Sequence, residues 1–263
     1  MGACYTHVPT ELNNRGAMRL VNGKYQEATM LFTEALDSAM GLQELATLAK
    51  NDCNKECAGM EIKVAYTNGK SDWSCGVNFA VSLSSCYNQY SSRFDHIIDD
   101  MLLVPNPLGG GHIFRSPLLL FHNSPRIGPP GYTVLELCTI TYNLSLSYHL
   151  QGIADNVNSA LLDNARGLYE KTLQLQQMAP PGHRQLQIGI FLHMCLVNNL
   201  AMIHTALDNE GKSREYLGRV LSDIQYILEC GNEERRYYHE LLDGFIDNTM
   251  PLILMDSALA PAA

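Results

Sequence analysis

Residues 11–36 decide the fold, and they read ELNNRGAMRLVNGKYQEATMLFTEAL. Small and apolar residues recur every three or four positions on both sides of Asn22-Gly23, at Leu12, Gly16, Leu20, Tyr25, Ala28, Phe32 and Ala35. This spacing is typical of helices that bury one face, and an Asn-Gly pair is a turn signal. The stretch therefore predicts two helices joined by a tight turn, with the second helix continuing toward Ala49.

The same pattern occurs twice more in the second half of the chain. Helical spacing predicts one pair at 133–151 and 158–178 and another at 184–207 and 212–230. The sequence Ala-Pro-Pro-Gly at 179–182 is a strong stop between the two pairs. A last helix is predicted at about 233–256, with Pro251 expected to kink or break it.

A different pattern separates the first pair from the second. Apolar and polar residues alternate at 60–66 and again at 73–83, which predicts short strands. The apolar run at 112–121 contains Pro117, which limits it to a sheet edge or an irregular extended segment. The sequence SPRIGPPG at 124–131 predicts a loop.

The composition excludes some classes of function. The 18 Lys and Arg against 27 Asp and Glu give a net charge of −9, and the basic residues are scattered. Nucleic acid is therefore not an expected partner, because phosphate contacts need clustered basic side chains. No apolar run is long enough to span a membrane, and no secretory signal is recognisable. The eight cysteines are accordingly expected to be reduced thiols in a cytoplasmic protein.

The helix pairs resemble the tetratricopeptide repeat, a helical hairpin of about 34 residues. With Leu12 as the fourth position, small residues fall on the eighth and twentieth positions as Gly16 and Ala28. The third unit matches through Leu200, Ala201 and Ser213, whereas the second needs about eight residues inserted after Gly152. The whole layout is also similar to tetratricopeptide-like proteins predicted in diatoms.

The resemblance implies a mainly α fold of the α-solenoid type, in which stacked helical hairpins share one core. The expected organisation is a tail at 1–10, a first helix pair at 11–51, and an inserted small β or irregular segment at 52–131. The second and third pairs and the C-terminal helix are expected at 132–263, as one folded body.

In such repeats the first helix of each pair lines a concave groove, and the resemblance implies a groove that binds an extended peptide. Asparagine recurs there at the sixth position of all three units, and a carboxamide can pair with a peptide bond whatever its side chain. The implied backbone-binding residues are Asn14, Asn143 and Asn199. The implied side-chain-reading residues are Tyr142, Leu146, His149, Met202 and Thr205. The alternative is that the asparagines are structural and pair only with neighbouring groups.

The expected function is thus a non-catalytic adaptor that binds a protein or peptide and uses no cofactor. One rival is a metal or enzymatic site in the insertion, built from Cys53, Cys57, Cys75, Cys86 and His96. The cysteine spacings do not match the paired two-residue knuckles of structural zinc sites. Another rival is a lipid-anchored adaptor, because Met1-Gly2-Ala3-Cys4-Tyr5-Thr6 fits the myristoylation pattern and offers Cys4 for palmitoylation.

Overall fold

The structure is a computed structural model that describes residues 8–56, 103–105, 112–115, 117, 118, 120, 134–178, 187–229, 242 and 244–254. Within these ranges the chain is mainly helical, as the periodicity predicts. None of the described helices is long and apolar enough to cross a membrane. The strands predicted at 60–83 and the loop predicted at 124–131 lie outside the described residues.

Six helices form the framework: α1 (Val8–Val21), α2 (Tyr25–Glu56), α3 (Val134–Ala154), α4 (Ser159–Met178), α5 (Gln187–Ala206) and α6 (Glu210–Glu229). The first pair is longer than the 11–51 predicted, because α1 begins three residues earlier and α2 ends at Glu56. Residues 244–254 are also helical, and the helix continues through Pro251. Of the kink or break predicted at this proline, the break does not occur.

Helices α1 and α5 end in the same way. The N–H of Lys24 donates to the carbonyl of Arg19 at 2.9 Å, and Gly23 before it has a φ of 70°. At the end of α5, the N–H of Asn209 donates to the carbonyl of His204 at 2.8 Å, with Asp208 at a φ of 54°. Both are left-handed helix ends, and glycine adopts this backbone conformation without the Cβ strain that other residues carry.

The turn between α3 and α4 contains the residues that interrupt the repeat pattern. The helix continues past Gly152 to Ala154, and Asn156 and Val157 then follow in the left-handed region, with φ of 49° and 62°. The carboxamide of Asn158 accepts hydrogen bonds from the N–H groups of Ala160 at 3.2 Å and Leu161 at 3.3 Å. Asn158 therefore caps the N-terminus of α4.

Each framework helix packs against the next one along the chain, from α1 to α6. Small residues permit the close approach within the first pair: a Cβ at Gly16 would lie 2.7 Å from Cε1 of Phe32. Ala28 and Ala35 are fully buried on the same helix as Phe32. The small residues identified from the sequence thus lie where two helices meet.

Two short antiparallel strands precede α3: β1 (Leu103–Pro105) and β2 (His112–Phe114). Leu103 pairs with Phe114, Val104 with Ile113, and Pro105 with His112. Hydrogen-bonded and non-hydrogen-bonded pairs alternate in such a ladder, and proline has no N–H to contribute. The hydrogen-bonded pair is therefore Val104 with Ile113, which leaves the N–H and carbonyl of Phe114 directed away from β1. The strand β2 contacts α5.

Candidate functional site

The segment that begins with β2 packs against the helical body at the residues that the structure describes. We call residues 112–120 the bound segment; the structure describes all of it except residues 116 and 119. Four of its side chains are at most 3% exposed: Ile113, Phe114, Leu118 and Leu120. A segment with this degree of burial must have partners for its backbone polar groups, because water cannot reach them.

Those partners are the three recurrent asparagines. Asn199 on α5 accepts a hydrogen bond from the N–H of Phe114 at 2.9 Å and donates to the carbonyl of the same residue at 2.9 Å. Asn143 on α3 does the same for Leu118, at 2.8 and 2.7 Å. Asn14 on α1 does the same for Leu120, at 2.9 and 2.8 Å.

The pairing follows the geometry of an extended chain. In such a chain the N–H and carbonyl of one residue point to the same side, and alternate residues share that side. The three paired residues, Phe114, Leu118 and Leu120, are separated by even numbers of residues. Pro117 lies at an odd position, so its missing N–H removes nothing from the asparagine ladder.

The asparagines are held by further hydrogen bonds. Asn143 donates to Oδ1 of Asn13 at 2.9 Å, and Asn13 itself donates to the carbonyl of Leu118 at 3.1 Å. Asn199 donates to the hydroxyl of Tyr169 at 3.1 Å. Asn143 and Asn199 are fully buried. These contacts fix the orientation of both carboxamides and satisfy groups that burial would otherwise leave unpaired.

The side chains of the bound segment complete the core of the protein. The ring of Phe114 meets the ring of Phe191 edge to face at 5.3 Å between centroids and stacks on Phe245 at 5.9 Å. Leu118 belongs to the same large cluster. Leu120 belongs to a second, smaller cluster with Leu12, Ala35, Ala39 and Ile140. The segment therefore contributes side chains to two separate apolar clusters.

Four of the residues predicted to read ligand side chains are buried: Tyr142, Leu146, His149 and Met202 are at most 1% exposed. The Tyr142 hydroxyl donates a hydrogen bond of 3.4 Å to the carbonyl of Phe114. The fifth, Thr205, is partly exposed and bonds the carbonyl of Ala201 and the hydroxyl of Ser213, between α5 and α6.

The electrostatics of the groove result mainly from burial. Burial raises the pKa of Tyr142, Tyr169 and Cys195 well above their ordinary ranges. Burial, together with the smaller effect of the positive charge of Arg115, lowers the pKa of His149 to about 3. All four groups are therefore neutral near pH 7, and Arg115 brings a positive charge close to His149.

Two buried nitrogens of this region lack a hydrogen-bond partner: Nε of Arg115 and Nδ1 of His149. Arg115 belongs to the bound segment and is partly exposed, whereas His149 belongs to α3 and is fully buried. Burial lowers the pKa of the Arg115 guanidinium as well. The arginine is thus the one described residue of the bound segment with an unpaired side-chain nitrogen.

Sequence reasoning identified the asparagines but not their partners in the bound segment. The signal for Phe114, Leu118 and Leu120 was present as large apolar residues at even separations around Pro117. Tyr169 was not predicted as a site residue, and its hydroxyl accepts a hydrogen bond from Asn199. Asn13, the neighbour of Asn14 on α1, contacts both Asn143 and the bound segment.

The other candidate sites lie outside the residues whose side chains are described. These are Cys53, Cys57, Cys75, Cys86 and His96 for the metal site and Gly2 and Cys4 for the lipid anchor. Within the described part of the chain, no cluster of three or more His, Cys, Asp or Glu residues is placed to hold a metal ion.

Comparison of this chain with known protein families, with curated proteins and with solved structures found no match. Its own geometry is therefore the basis for assigning a function.

Proposed function

We propose that this chain is a non-catalytic protein-interaction module, built from tetratricopeptide-like helical hairpins, that binds an extended peptide in a groove. One observation carries the proposal: Asn14, Asn143 and Asn199 each pair with both the N–H and the carbonyl of a single residue in an extended segment. Two-point pairing of this kind recognises the backbone of any extended peptide, whatever its side chains.

The arrangement of the helices supports a stacked-hairpin body. Each framework helix packs against its neighbour in chain order, and the asparagines lie on the first helix of each pair: α1, α3 and α5. The bound segment crosses these helices in reverse order, from α5 to α3 to α1. A peptide held along the groove therefore contacts all three pairs, which is how repeat proteins use an extended concave surface.

The closed form of the groove determines what its ligand must supply. A bound peptide buries its own apolar side chains against those around Phe191 and Leu12. It also forms hydrogen bonds with the buried carboxamides of the asparagines. The neutral side chains around the groove favour an uncharged apolar ligand, because a buried charge without a partner is costly. The expected partner is consequently a protein segment, and nucleic acid is not expected.

The proposal is tested by selecting peptides from a random displayed library on three chains: wild type, Phe114→Ala and the double variant with both Phe114→Ala and Asn143→Ala. The Phe114→Ala chain is included because it weakens the bound segment and so opens the groove to competitors. We expect peptides that bind the Phe114→Ala chain and bind the double variant at least tenfold more weakly, since in a groove already opened by Phe114→Ala only the peptide loses the two hydrogen bonds with Asn143. If neither of the first two chains enriches any peptide that depends on Asn143, the proposal is wrong.

A cytoplasmic location, with membrane association only through acylation at Gly2 and Cys4, is part of the same proposal. It is tested by cell fractionation of the wild-type and Gly2→Ala chains. A Gly2→Ala chain that leaves the membrane fraction would show a lipid anchor, because Gly2 is the residue that would carry the myristoyl group. Cys4 would supply the second acyl group, since one myristoyl chain binds membranes only marginally. A wild-type chain found only in the soluble fraction would exclude the anchor.

A further inference from the structure

The side chains of the bound segment define what the groove selects, in addition to the backbone that the asparagines hold. Phe114 occupies an aromatic pocket beside Phe191 and Phe245. Leu118, four residues later, packs in the large cluster, and Leu120, two residues after that, packs in the small one. The three positions that are paired through their backbone are therefore also the positions that fill apolar pockets.

We infer that the bound segment is an internal ligand that keeps the groove closed, and that the partner is a protein segment with the pattern Phe-x3-Leu-x-Leu that displaces it. This inference rests on the proposed function, since it specifies the ligand of the same groove. The partner runs in the same direction as the bound segment, with its Phe at Asn199 and its last Leu at Asn14.

The backbone contacts exclude proline at particular positions of the partner. Each paired residue donates its N–H to an asparagine, so proline at the Phe or at either Leu position would remove a hydrogen bond and leave a buried acceptor. Proline is compatible with the position before the first Leu, where Pro117 stands. The groove should therefore also bind partner segments of the form Phe-x-x-Pro-Leu-x-Leu.

Arg115 makes the internal segment a weaker ligand than its other contacts imply. Its Nε is buried without a hydrogen-bond partner, and its charge lies close enough to His149 to lower the pKa of that imidazole. An uncharged flexible residue such as methionine at this position would remove the unpaired nitrogen and keep the packing. A partner segment with Met after the Phe is therefore expected to bind more tightly than the internal segment detached from its chain.

The covalent connection gives the internal segment a concentration advantage. A tethered ligand has an effective concentration on the order of millimolar, so a free peptide with the same contacts displaces little of it at micromolar concentration. Truncating one anchor of the internal segment lowers this barrier. Truncating a buried Phe to Ala in a core lowers the equilibrium constant of the packed state by a factor of about 100 or more. Phe114→Ala should lower the equilibrium constant for closing the groove by the internal segment to the same extent. The Phe114→Ala chain should therefore bind the free wild-type peptide on the order of 100-fold more tightly than the wild-type chain does.

The test is fluorescence anisotropy with a labelled peptide that carries the sequence of residues 110–122, titrated with the full-length chain. The chains are wild type, Phe114→Ala and the matched control Met30→Ala, which truncates an exposed side chain. The expected order of apparent affinity is Phe114→Ala well above wild type, with Met30→Ala equal to wild type. A second opened chain, Leu120→Ala, tests the other pocket if Phe114→Ala does not fold.

Two modified peptides assign the binding to the groove. N-methylation of the leucine that corresponds to Leu118 removes only the N–H that Asn143 accepts, and should weaken binding at least tenfold. Replacing the arginine that corresponds to Arg115 by methionine should strengthen binding severalfold. A folded Phe114→Ala or Leu120→Ala chain that binds the labelled peptide no better than wild type would overturn the inference.

The failure of this inference is distinguishable from the failure of the proposed function. If the random library yields Asn143-dependent peptides without the Phe-x3-Leu-x-Leu pattern, the groove binds peptides but the internal segment does not represent its ligand. The mass of the peptide-free chain in solution completes the test. A dimer that exchanges the segment between two copies would also overturn the inference, because the occupant would then be a second copy of this chain.

Discussion

The Asn143→Ala substitution gives the most direct measure of what the asparagine ladder contributes to folding. It removes three hydrogen bonds: two with Leu118, at 2.8 and 2.7 Å, and one with Asn13, at 2.9 Å. The carbonyl of Leu118 keeps its second donor, Asn13, at 3.1 Å. The N–H of Leu118 and Oδ1 of Asn13 are the groups left without these partners.

The expected cost follows from those two buried groups. A buried polar group without a partner costs about 1–3 kcal/mol, so we expect the free energy of unfolding to fall by about 3 kcal/mol. Asn14→Ala should cost only about 1 kcal/mol, because Asn14 is partly exposed and water can replace its carboxamide. Asn22→Ala is a matched control: this asparagine is exposed, and we expect a change within about 0.5 kcal/mol.

Urea unfolding measures these differences, with an unchanged dependence on denaturant as the check that the unfolding transition is comparable. Amide hydrogen exchange then locates the effect, because the Leu118 amide should lose most of its protection in Asn143→Ala and keep it in Asn22→Ala. An Asn143→Ala chain no less stable than Asn14→Ala, or a Leu118 amide with unchanged exchange, would refute the assignment of the ladder as a buried recognition element.

Three further predictions concern other parts of the fold. Burial and, to a smaller extent, Arg115 lower the pKa of His149 to about 3, so the folded state favours the neutral imidazole. The free energy of unfolding should therefore fall by up to about 1.4 kcal/mol per pH unit as the pH decreases from about 6.5 toward 3. Urea unfolding at pH 7 and pH 5 measures this slope, and His149→Gln should remove it. Gly16→Ala should destabilise the folded state by about 1–3 kcal/mol, because the added Cβ would meet Phe32. Gly218→Ala lies in open space on α6 and should stabilise the folded state by up to about 1 kcal/mol through helix propensity. Thermal unfolding of both variants separates the packing effect from the propensity effect. Asp208→Gly should raise the free energy of unfolding by about 1 kcal/mol because glycine adopts the positive φ of this helix end without strain, and an unchanged urea midpoint would contradict this.

The helices could be predicted from the sequence because each has a local signature. Apolar residues at helical spacing predicted all six framework helices, although α2 continues seven residues beyond Ala49 to Glu56. Asn22-Gly23 identified a turn that the structure forms with a left-handed glycine. The α3–α4 turn was harder to define, since its left-handed residues, Asn156 and Val157, include a β-branched side chain that rarely adopts this conformation.

The occupant of the groove could not be predicted, because its contacts are distant in sequence. Asn14 is separated by 106 residues from Leu120, and Asn199 by 85 residues from Phe114. Periodicity shows that a residue is buried but not which residue it meets. The run at 112–121 also lacks simple alternation, since the neighbours Ile113 and Phe114 are both buried. A strand covered on both faces has this pattern, and it carries little information about pairing.

The burial of the asparagines implies that a partner exchanges with the internal segment rather than adding to it. An empty groove would expose the pockets of Phe114 and Leu120 together with the paired carboxamides, so the segment and its competitor must occupy the site in turn. Exchange exposes about as much apolar surface as it buries, and the heat-capacity change of binding should therefore be close to zero. Simple addition of an apolar peptide would give a clearly negative heat-capacity change. Calorimetric titration of the wild-type chain with the methionine-containing peptide at several temperatures distinguishes the two mechanisms, and a large negative slope of enthalpy against temperature would show a second site outside the groove.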